Sequence, residues 1–321
     1  MDKFAIRVIT YNLLSPYYAT QEQFPYTKPY YLDFQYRICK TIKLISSWIK
    51  VNFIICLQEV SKEWADILTN YFSDNNYGFV YDCYSSGRLG IGIAYPKNHY
   101  NIIDTNIFKS GAYIAKLPLD TLDENIVQQI IHASKANNTM MSIYFNALYH
   151  GNDIGKRVMI SNYHMPCKFM YEYFMTSHIV AVLAQLELLQ EHWNVKPVVL
   201  AGDFNMVPES SVYKQITGTI DGKTSEHIIS SFKKMNIDIT KTYTSFNSTH
   251  FLSQKKEPKY TNVCLKETNS FVDCIDYIFI NENVSVMSCM TGLTVNDPYT
   301  TSYPNGLCPS DHIPLSASLF I

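Results

Sequence analysis

The sequence of 321 residues predicts an α/β fold in which two packed β-sheets are covered on the outside by helices. Short apolar runs typical of buried strands alternate along the chain with amphipathic segments of helical period. The strands are too short and too irregularly spaced for a repeated strand–helix–strand unit, which argues against one doubly wound sheet. Composition does not change along the chain, and no Gly-, Ser- or Pro-rich linker divides it. We therefore predict one domain, residues 1–321.

The predicted elements of the first half are a strand at 4–12, a helix at 31–50, a buried strand at 53–59, a helix from Ser61 to about Tyr71, and paired strands at 78–84 and 90–96. The first strand alternates apolar and polar residues, and the helix at 31–50 has isoleucines at helical spacing. The run FIICLQE (53–59) is short and fully apolar, which is typical of a buried strand. Ser61 is a favourable helix N-cap, and a Gly-rich turn separates the final pair of strands.

The predicted elements of the second half are a short helix at 122–135, a hairpin of strands at 140–149 and 156–165, a long helix at 175–192, and buried strands at 197–203, 272–280 and 313–321. The hairpin is inferred from two strand-like runs on either side of HGNDIGK. The helix at 175–192 has the clearest apolar stripe in the chain. The stretch 240–270 is polar and predicted to be irregular.

Composition limits the function. Hydrophobic residues make up 47% of the chain and charged residues 17%, which excludes a disordered tail, a coiled coil and a collagen-like fibre. The 26 basic and 28 acidic residues give a formal net charge of −2. A protein that holds long nucleic acids by charge alone would be basic. Any action on nucleic acid must therefore depend on a local site or on a short substrate.

Features of the chain indicate an intracellular, cytoplasmic protein with no membrane partner. The N-terminal segment lacks the apolar stretch of a signal peptide, and no run approaches the length of a membrane span. The eight cysteines form neither CxxC pairs nor zinc-ligand spacings. We expect most of them to be reduced and packed in the core.

Acidic, amide and imidazole side chains recur where the predicted buried strands begin or end, and one of them, Asp276, interrupts the predicted strand at 272–280. They are Asn12, Glu59, Asp203, Asn205, Asp276, Asp311 and His312. Taken singly, each has a structural interpretation, such as a helix cap, a turn residue or a satisfied buried carboxylate. A carboxylate in an apolar strand is nevertheless costly unless it is paired, hydrogen-bonded or metal-bound. Together these oxygen ligands suit Mg²⁺ or Mn²⁺, and a histidine beside an aspartate suits a general base.

Several motifs resemble, in chain order, those of the endonuclease/exonuclease/phosphatase superfamily, which includes DNase I, inositol-phosphate 5-phosphatases and poly(A) deadenylases. They are TYNLLS (10–15), ICLQEV (55–60), AGDFNMVPESSVY (201–213), CIDYIF (274–279) and PSDH (309–312). The resemblance runs from Ile9 to His312. The strings DFQYR (33–37), PESSVY and IDYIF are most similar to the poly(A) deadenylase, nocturnin and Angel branch. The resemblance implies a four-layer α/β sandwich with two mixed sheets and a site at one rim.

The resemblance also implies a metal site. Glu59, in LQE, is expected to be the principal ligand of Mg²⁺, with Mn²⁺ as the alternative ion. Asn12, in TYN, would help to order the metal, its water and the phosphate. Asp311, in SDH, would complete the first or second shell around the metal.

The same resemblance implies the catalytic groups. Asp203, in GDFN, would orient or deprotonate the attacking water or hold a second metal, and Asn205 would bond a phosphate oxygen. His312 would contact the scissile phosphate as a base or electrostatic stabiliser, with Asp276 fixing its tautomer. His164 lies where the family often has a strand ending in T-H-L, so we expect it to donate to the phosphate.

The substrate is less defined by the sequence than the chemistry. Arg88 is a candidate for substrate binding, although a solvated surface charge is the simpler interpretation. Tyrosines near the rim could stack on bases, but packing alone explains most of them. After His164, the sequence MPCKFMYEYFMTSH departs from the deadenylase pattern, and this loop would help to select the substrate.

The leading functional hypothesis is a Mg²⁺-dependent phosphodiesterase that acts on RNA 3′ ends, a deadenylase-like 3′–5′ exoribonuclease releasing nucleoside 5′-monophosphates. A second hypothesis is a 2′,5′-oligoadenylate phosphodiesterase or a dinucleotide 2′-phosphatase. A third is a DNA endonuclease. A fourth is a catalytically inactive binding module. The expected partner is RNA, a short oligonucleotide or a nucleotide, and protein partners are not defined by the sequence.

Overall fold

The computed structural model describes residues 3–120, 122–219, 226–237, 246–292 and 298–321. Its strands, in chain order, are β1 (Ala5–Asn12), β2 (Ile54–Gln58), β3 (Tyr77–Cys83), β4 (Gly90–Pro96), β5 (Tyr100–Lys109), β6 (Thr139–Tyr149), β7 (Asn152–His164), β8 (Val198–Asp203), β9 (Asn247–Ser248), β10 (Asn262–Cys264), β11 (Phe271–Asp273), β12 (Asp276–Ile280), β13 (Ser285–Thr291) and β14 (Leu315–Phe320). Its helices are α1 (Pro29–Leu32), α2 (Phe34–Ile49), α3 (Lys62–Asp74), α4 (Ser110–Ile114), α5 (Glu124–Ser134), α6 (Glu172–Trp193), α7 (Ser211–Thr217), α8 (Glu226–Lys234) and α9 (Thr249–Gln254).

The strands form two six-stranded mixed sheets and a small ribbon. The first sheet has the order β13-β14-β1-β2-β4-β3, and the second has the order β5-β6-β7-β8-β12-β9. Each sheet contains one parallel pair, β1 with β2 and β7 with β8, among antiparallel pairs. The short strands β10 and β11 pair with each other outside the two sheets. The predicted pair of packed sheets is confirmed.

Alternate residues of each strand face opposite sides of its sheet, which creates the layers. In β1, Ile6 lies in the apolar cluster between the sheets, whereas Ile9 packs on the side of α2 and α3. In β7, Ile160 faces the same inner cluster, whereas Met159 packs against the outer helices, chiefly α6. The layers therefore follow in the order helix, sheet, sheet, helix, as the family resemblance implies.

The inward-facing positions change from apolar to polar toward one rim of the sandwich. The inward series are Val8, Thr10 and Asn12 in β1, and Ile160, Asn162 and His164 in β7. Below the rim, the buried Asn162 joins the two sheets. Its Nδ2 donates to the carbonyl oxygens of Leu57 and Gly92, both at 2.9 Å, and its Oδ1 accepts from Gln58 Nε2 at 2.7 Å. These bonds fix the distance between the sheets directly beneath the polar rim.

Two predicted elements differ from the structure. The predicted helix at 31–50 is two helices, because Asp33 is extended and its side chain caps α2 by accepting from Tyr36 N–H. The predicted strand at 272–280 is divided between β11 and β12, which belong to different sheets. The division occurs where the N–H groups of Ile275 and Asp276 both donate to Thr261 Oγ1 rather than to a strand partner.

The structure also contains elements that the sequence pattern does not predict. The edge strands β5 and β13 were not predicted, and the stretch 240–270 contains β9, α9 and β10 in its described part. Residues 240–245 lie outside the described residues. All eight cysteines are unpaired, as expected, but only Cys56, Cys274 and Cys308 are buried. None of the helices in the described ranges combines the length and the apolar character that crossing a membrane requires.

Candidate active site

Strand register brings the predicted polar residues to the same rim. Asp203 ends β8, and it lies opposite His164 of the parallel strand β7 and opposite Asp276 of the antiparallel strand β12. In the first sheet, Asn12 ends β1 beside Gln58, so that Glu59 is the next residue to leave the sheet. We call this set the rim cluster: Asn12, Glu59, His164, Asp203, Asp276 and His312.

The carboxylate of Asp203 is at the centre of the rim cluster. Its Oδ2 accepts a hydrogen bond from Asn12 Nδ2 at 2.9 Å and lies 3.6 Å from Nε2 of both His164 and His312. Asp203 is 2% exposed, so these contacts form with little competing water. Asn12 Nδ2 also donates to Glu59 Oε1 at 3.2 Å. Because Asn12 belongs to the first sheet and Asp203 to the second, the bond from Asn12 to Asp203 connects the two sheets across the site.

Glu59 reaches the rim cluster because of an unusual backbone angle. Gln58 faces the space between the sheets, so an extended Glu59 would point to the opposite, helix-covered side. Instead, Glu59 adopts a left-handed conformation with φ of 56°, and its Oε2 accepts from Ser15 N–H at 2.7 Å. Burial raises the pKa of the Glu59 carboxyl above its ordinary value, and the negative charge of Asp311 adds to this effect.

His312 and Asp276 form a buried pair. The distance between His312 Nδ1 and Asp276 Oδ2 is 2.8 Å, so Nδ1–H donates to the carboxylate and Nε2 faces Asp203. Burial raises the pKa of Asp276 to about 6. Burial alone would lower the pKa of His312, but the facing carboxylates, led by Asp276, outweigh burial and raise that pKa well above its ordinary value. The pair therefore favours a cationic imidazole at neutral pH.

Asn205 and His164 are linked through the backbone. Asn205 is left-handed, with φ of 47°, and its N–H donates to Asp203 Oδ1 at 3.0 Å. Its Nδ2 donates to the carbonyl oxygen of Met165 at 2.8 Å, directly after His164. One of the two N–H groups of the Asn205 side-chain amide thus holds this turn. His164 is buried, and its Nδ1 has no hydrogen-bond partner among the described residues.

Asp311 and Arg88 lie at the margin of the rim cluster. Asp311 is half-buried, and its Oδ2 accepts from Asn262 Nδ2 at 3.0 Å. The exposed guanidinium of Arg88 lies over the Tyr17 ring, 5.3 Å from its centroid. The backbone of Arg88 is tied to the site, since its carbonyl oxygen accepts from Ser15 Oγ at 2.7 Å.

Several residues that support the site were not predicted. Ser15 binds Glu59 and Arg88 as described above, and Ser310 Oγ donates to the carbonyl oxygen of Asn12 at 2.8 Å. Thr261 accepts from the backbone at the start of β12, and its own carbonyl oxygen accepts from Ile313 N–H at 2.7 Å. Ser15 and Ser310 lie inside the recognised motifs, which was an available signal. Thr261 lies in a polar stretch without a periodic pattern, so the sequence offered no signal for it.

The carboxylate oxygens of the rim cluster fit a hard divalent cation, whereas His312 could bind an ion only as the neutral imidazole. One oxygen or nitrogen from each of Asp203, Asp276 and His312 lies within 4.8 Å of the others. The buried Asp276 Oδ1 has no hydrogen-bond partner among the described residues, and an unsatisfied buried carboxylate oxygen is suited to metal coordination. The group of Asp203, Asp276 and His312 is not the predicted ligand set, which is Glu59, Asn12 and Asp311. The two sets are neighbours, because Asn12 contacts both Glu59 and Asp203.

Comparison with known proteins gives a family match over most of the chain. Residues 9–312 match the model of the "Endonuclease/Exonuclease/phosphatase family". Human 2′,5′-phosphodiesterase 12 is 24% identical over 330 residues, which cover 98% of this chain and 51% of that protein. The CCR4-Not complex 3′-5′-exoribonuclease subunit Ccr4 of Mycosarcoma maydis is 23% identical over 350 residues, which cover 96% of this chain and 49% of that protein. The chain thus spans about half the length of these curated relatives.

Solved structures share the fold. The crystal structure of ANGEL2, described as a 2′,3′-cyclic phosphatase, in complex with adenosine-2′,3′-vanadate has a TM-score of 0.75 at 18% identity and covers 100% of this chain and 97% of that chain. The human nocturnin catalytic domain with a bound sulfate anion has a TM-score of 0.65 at 18% identity and covers 99% of this chain and 98% of that chain. At this identity, the likeness concerns the fold.

Proposed function

Because this chain belongs to the endonuclease/exonuclease/phosphatase family, we propose that it is a metal-dependent phosphodiesterase that removes nucleotides from RNA 3′ ends as nucleoside 5′-monophosphates. The observation that carries the proposal is the position of the Asp203 carboxylate, which contacts Asn12 and both histidines in a buried rim. Phosphoester hydrolysis requires an acceptor for the proton of water and positive groups for the charge that develops on the phosphoryl oxygens. The rim cluster supplies both.

Mg²⁺ is the proposed ion, with Mn²⁺ as the alternative. Glu59, supported by Asn12 and Asp311, would hold one ion. The neighbouring carboxylates of Asp203 and Asp276 would be the ligands of a second ion, if two ions bind. The ion would act as a Lewis acid that neutralises phosphate charge and lowers the pKa of a bound water. Oxygen donors without a thiolate are the ligands that these hard cations prefer.

The protein groups have distinct proposed roles. Asp203 orients the attacking water and accepts its proton, while the cationic His312 offsets charge on the phosphoryl oxygens. Asp276 accepts from Nδ1–H of His312, which stabilises the cationic ring and holds Nε2–H toward the reacting phosphate. His164 and Asn205 each donate to a phosphoryl oxygen, and a second N–H of the Asn205 amide holds the turn directly after His164. The water oxygen bonds to phosphorus, and the bond from phosphorus to the ribose 3′ oxygen breaks. That oxygen takes up a proton from a solvent water, and Asp203 returns its own proton to solvent.

The site margin supports an oligonucleotide substrate. Phe169, Met170 and Tyr171 follow His164 closely and are 63%, 78% and 47% exposed. Exposed aromatic side chains can stack on unpaired bases. We also propose that Arg88 contacts a substrate phosphate. The Arg88 guanidinium lies over the Tyr17 ring, on the same side of the site as Glu59. We also propose that the protein is intracellular and cytoplasmic, where RNA 3′ ends are present.

A second candidate is the hydrolysis of 2′,5′-linked oligoadenylate. Human 2′,5′-phosphodiesterase 12 matches 98% of this chain. The net charge of −2 also suits a short substrate better than a long polyanion. The same rim cluster would serve this reaction, because only the ribose oxygen that leaves phosphorus differs between the two linkages.

A parallel digest separates the candidates. Wild-type protein, Asp203→Asn and the control Asp66→Asn, an exposed acid on α3, are incubated with Mg²⁺ and one substrate at a time. The substrates are 5′-labelled 3′,5′-oligoadenylate, a mixed-sequence RNA, 2′,5′-oligoadenylate, a dinucleotide 2′-phosphate and plasmid DNA. We expect a shortening ladder on 3′,5′-RNA that Asp203→Asn abolishes and Asp66→Asn retains.

Other outcomes of the digest would change the assignment. Cleavage of 2′,5′ linkages with intact RNA would select the second candidate. Release of inorganic phosphate from the dinucleotide alone would indicate a phosphatase, and nicked plasmid would indicate a DNA endonuclease. Inactivity on every substrate, with intact metal binding, would contradict the proposal and favour a binding module.

A further inference from the structure

Arg37 of α2 is fully buried but has no carboxylate partner among the described residues. It is 0% exposed, and its Nε donates to the carbonyl oxygen of Pro309 at 2.7 Å. Its Nη2 donates to the carbonyl oxygen of Leu13 at 2.5 Å and to that of Leu14. Within the part of the chain that the structure describes, Nη1 has no partner. The guanidinium is therefore held by backbone oxygens rather than by an ion pair.

A buried guanidinium in this setting is costly for stability. Moving a charge out of water is unfavourable unless it is paired, and burial lowers the pKa of Arg37 for this reason. The nearby negative groups, including Asp311 and Glu59, offset the cost only in part. A well-packed apolar residue often serves stability as well as a buried charge does. The geometry of the guanidinium contacts points to another role.

The oxygens that bind Arg37 belong to two segments that carry the rim cluster. Leu13 and Leu14 lie between Asn12, which contacts Glu59 and Asp203, and Ser15, whose N–H binds Glu59. Pro309 begins the segment that continues through Ser310 and Asp311 to His312. Arg37 thus connects the segment that holds the Glu59 carboxylate to the segment that holds the His312 imidazole.

We propose that Arg37 is a positioning residue that sets the separation between the Glu59 side and the His312 side of the rim cluster through its fork of backbone hydrogen bonds. The inference rests on the proposed function of the rim cluster and deepens it. A planar guanidinium donates along fixed directions, whereas a lysine ammonium offers a single rotating point of contact. A displacement of about 1 Å in a reacting group can reduce a rate about 100-fold, so this separation matters for hydrolysis.

The test compares Arg37→Met, Arg37→Lys and Arg37→Ala with Ile45→Ala. Ile45 lies on the same helix and is also fully buried, but its side chain is an apolar member of the outer cluster and can donate no hydrogen bond to either segment. We expect the Arg37 variants to lose about 10- to 100-fold in kcat with KM within about twofold. Arg37→Lys should recover little activity, because a lysine ammonium keeps the positive charge but cannot make the same hydrogen bonds to Leu13, Leu14 and Pro309. Low-millimolar guanidinium chloride should partly restore Arg37→Ala and should not affect Ile45→Ala.

A substrate-free measurement keeps this inference separate from the proposed function. Calorimetric titration with Mn²⁺ should show weaker binding in the Arg37 variants than in wild type and in Ile45→Ala, whether or not any oligonucleotide is cleaved. Inactive wild-type protein would contradict the proposed function, and the Mn²⁺ titration would still test Arg37. Folded Arg37→Met with wild-type kcat and Mn²⁺ affinity would overturn the inference. Losses of kcat and Mn²⁺ affinity in Ile45→Ala as large as those in the Arg37 variants would also overturn it. If Met and Ala variants do not fold, Arg37→Lys alone decides by the same criteria.

Discussion

Glu59 shows how one backbone angle determines which side chain reaches the site. The alternation of β2 assigns Gln58 to the inner face, so the sequence pattern alone would place Glu59 on the outer face. The left-handed φ of 56° reverses this placement. A non-glycine residue in this conformation costs of order 1–3 kcal/mol, and such residues are concentrated at functional sites. The motif resemblance predicted that Glu59 belongs to the site, and the structure places it in the rim cluster, but no local pattern could predict the angle.

Glu59→Gln tests the metal-binding role. The substitution keeps the size of the side chain but removes the charge that attracts a divalent cation. We expect Mn²⁺ affinity to fall by more than about 10-fold and kcat by more than about 100-fold. Calorimetry and initial rates measure the two effects. The matched control is Glu124→Gln, an exposed glutamate in the first turn of α5. Equal Mn²⁺ affinity in both variants would mean that Glu59 is not a metal ligand.

Asp276→Asn tests the charge of His312. The carboxylate raises the pKa of His312, so its removal should lower that pKa. If the cationic imidazole is the active form, activity is lost as pH rises through its pKa. The alkaline limb of the kcat/KM profile should then move to lower pH by about one unit or more. A profile whose acid limb moves instead would show that neutral His312 acts as a base.

At the scale of elements, the apolar periodicity predicted the central strands and long helices but not the strand junctions. The buried strands β2 and β8 and the helix α6 follow local patterns, and the structure contains them with small shifts of their ends. The division between β11 and β12 depends instead on Thr261, which is distant in sequence. The edge strand β5 carries polar residues on an exposed face, so its apolar alternation is too weak to predict a strand.

Asn162→Ala tests the polar connection between the sheets. The substitution leaves the carbonyl oxygens of Leu57 and Gly92 without their side-chain donor in a buried layer. We expect the free energy of unfolding to fall by about 2–4 kcal/mol, as measured by urea denaturation. Ser142→Ala is the control, because the hydrogen bond between Ser142 and Ser161 lies within the second sheet and should be worth about 1 kcal/mol. A loss no larger than that of the control would contradict a special role for the connection.

At the scale of the whole molecule, the sequence predicted the layers and the residues that lie together in the rim cluster better than the contacts between them. Two packed sheets follow from the pattern of short apolar runs, and the motif order predicted which strand ends carry polar groups. The contacts that orient these groups are nonlocal, such as those from Arg37 to Leu13 and Pro309. Such contacts form only when segments that are distant in the sequence come together in the fold. They leave no periodic signal in a single sequence.

We propose that the rim cluster directs water to phosphorus in a nucleotide phosphodiester. The most direct test is the Mg²⁺-dependent hydrolysis of 3′,5′-oligoadenylate in water enriched in ¹⁸O, with mass spectrometry of the released nucleotide. We predict one heavy oxygen in the phosphate of adenosine 5′-monophosphate for wild type, and no product for Asp203→Asn. A product without heavy oxygen in its phosphate, or equal turnover by Asp203→Asn, would contradict the claim.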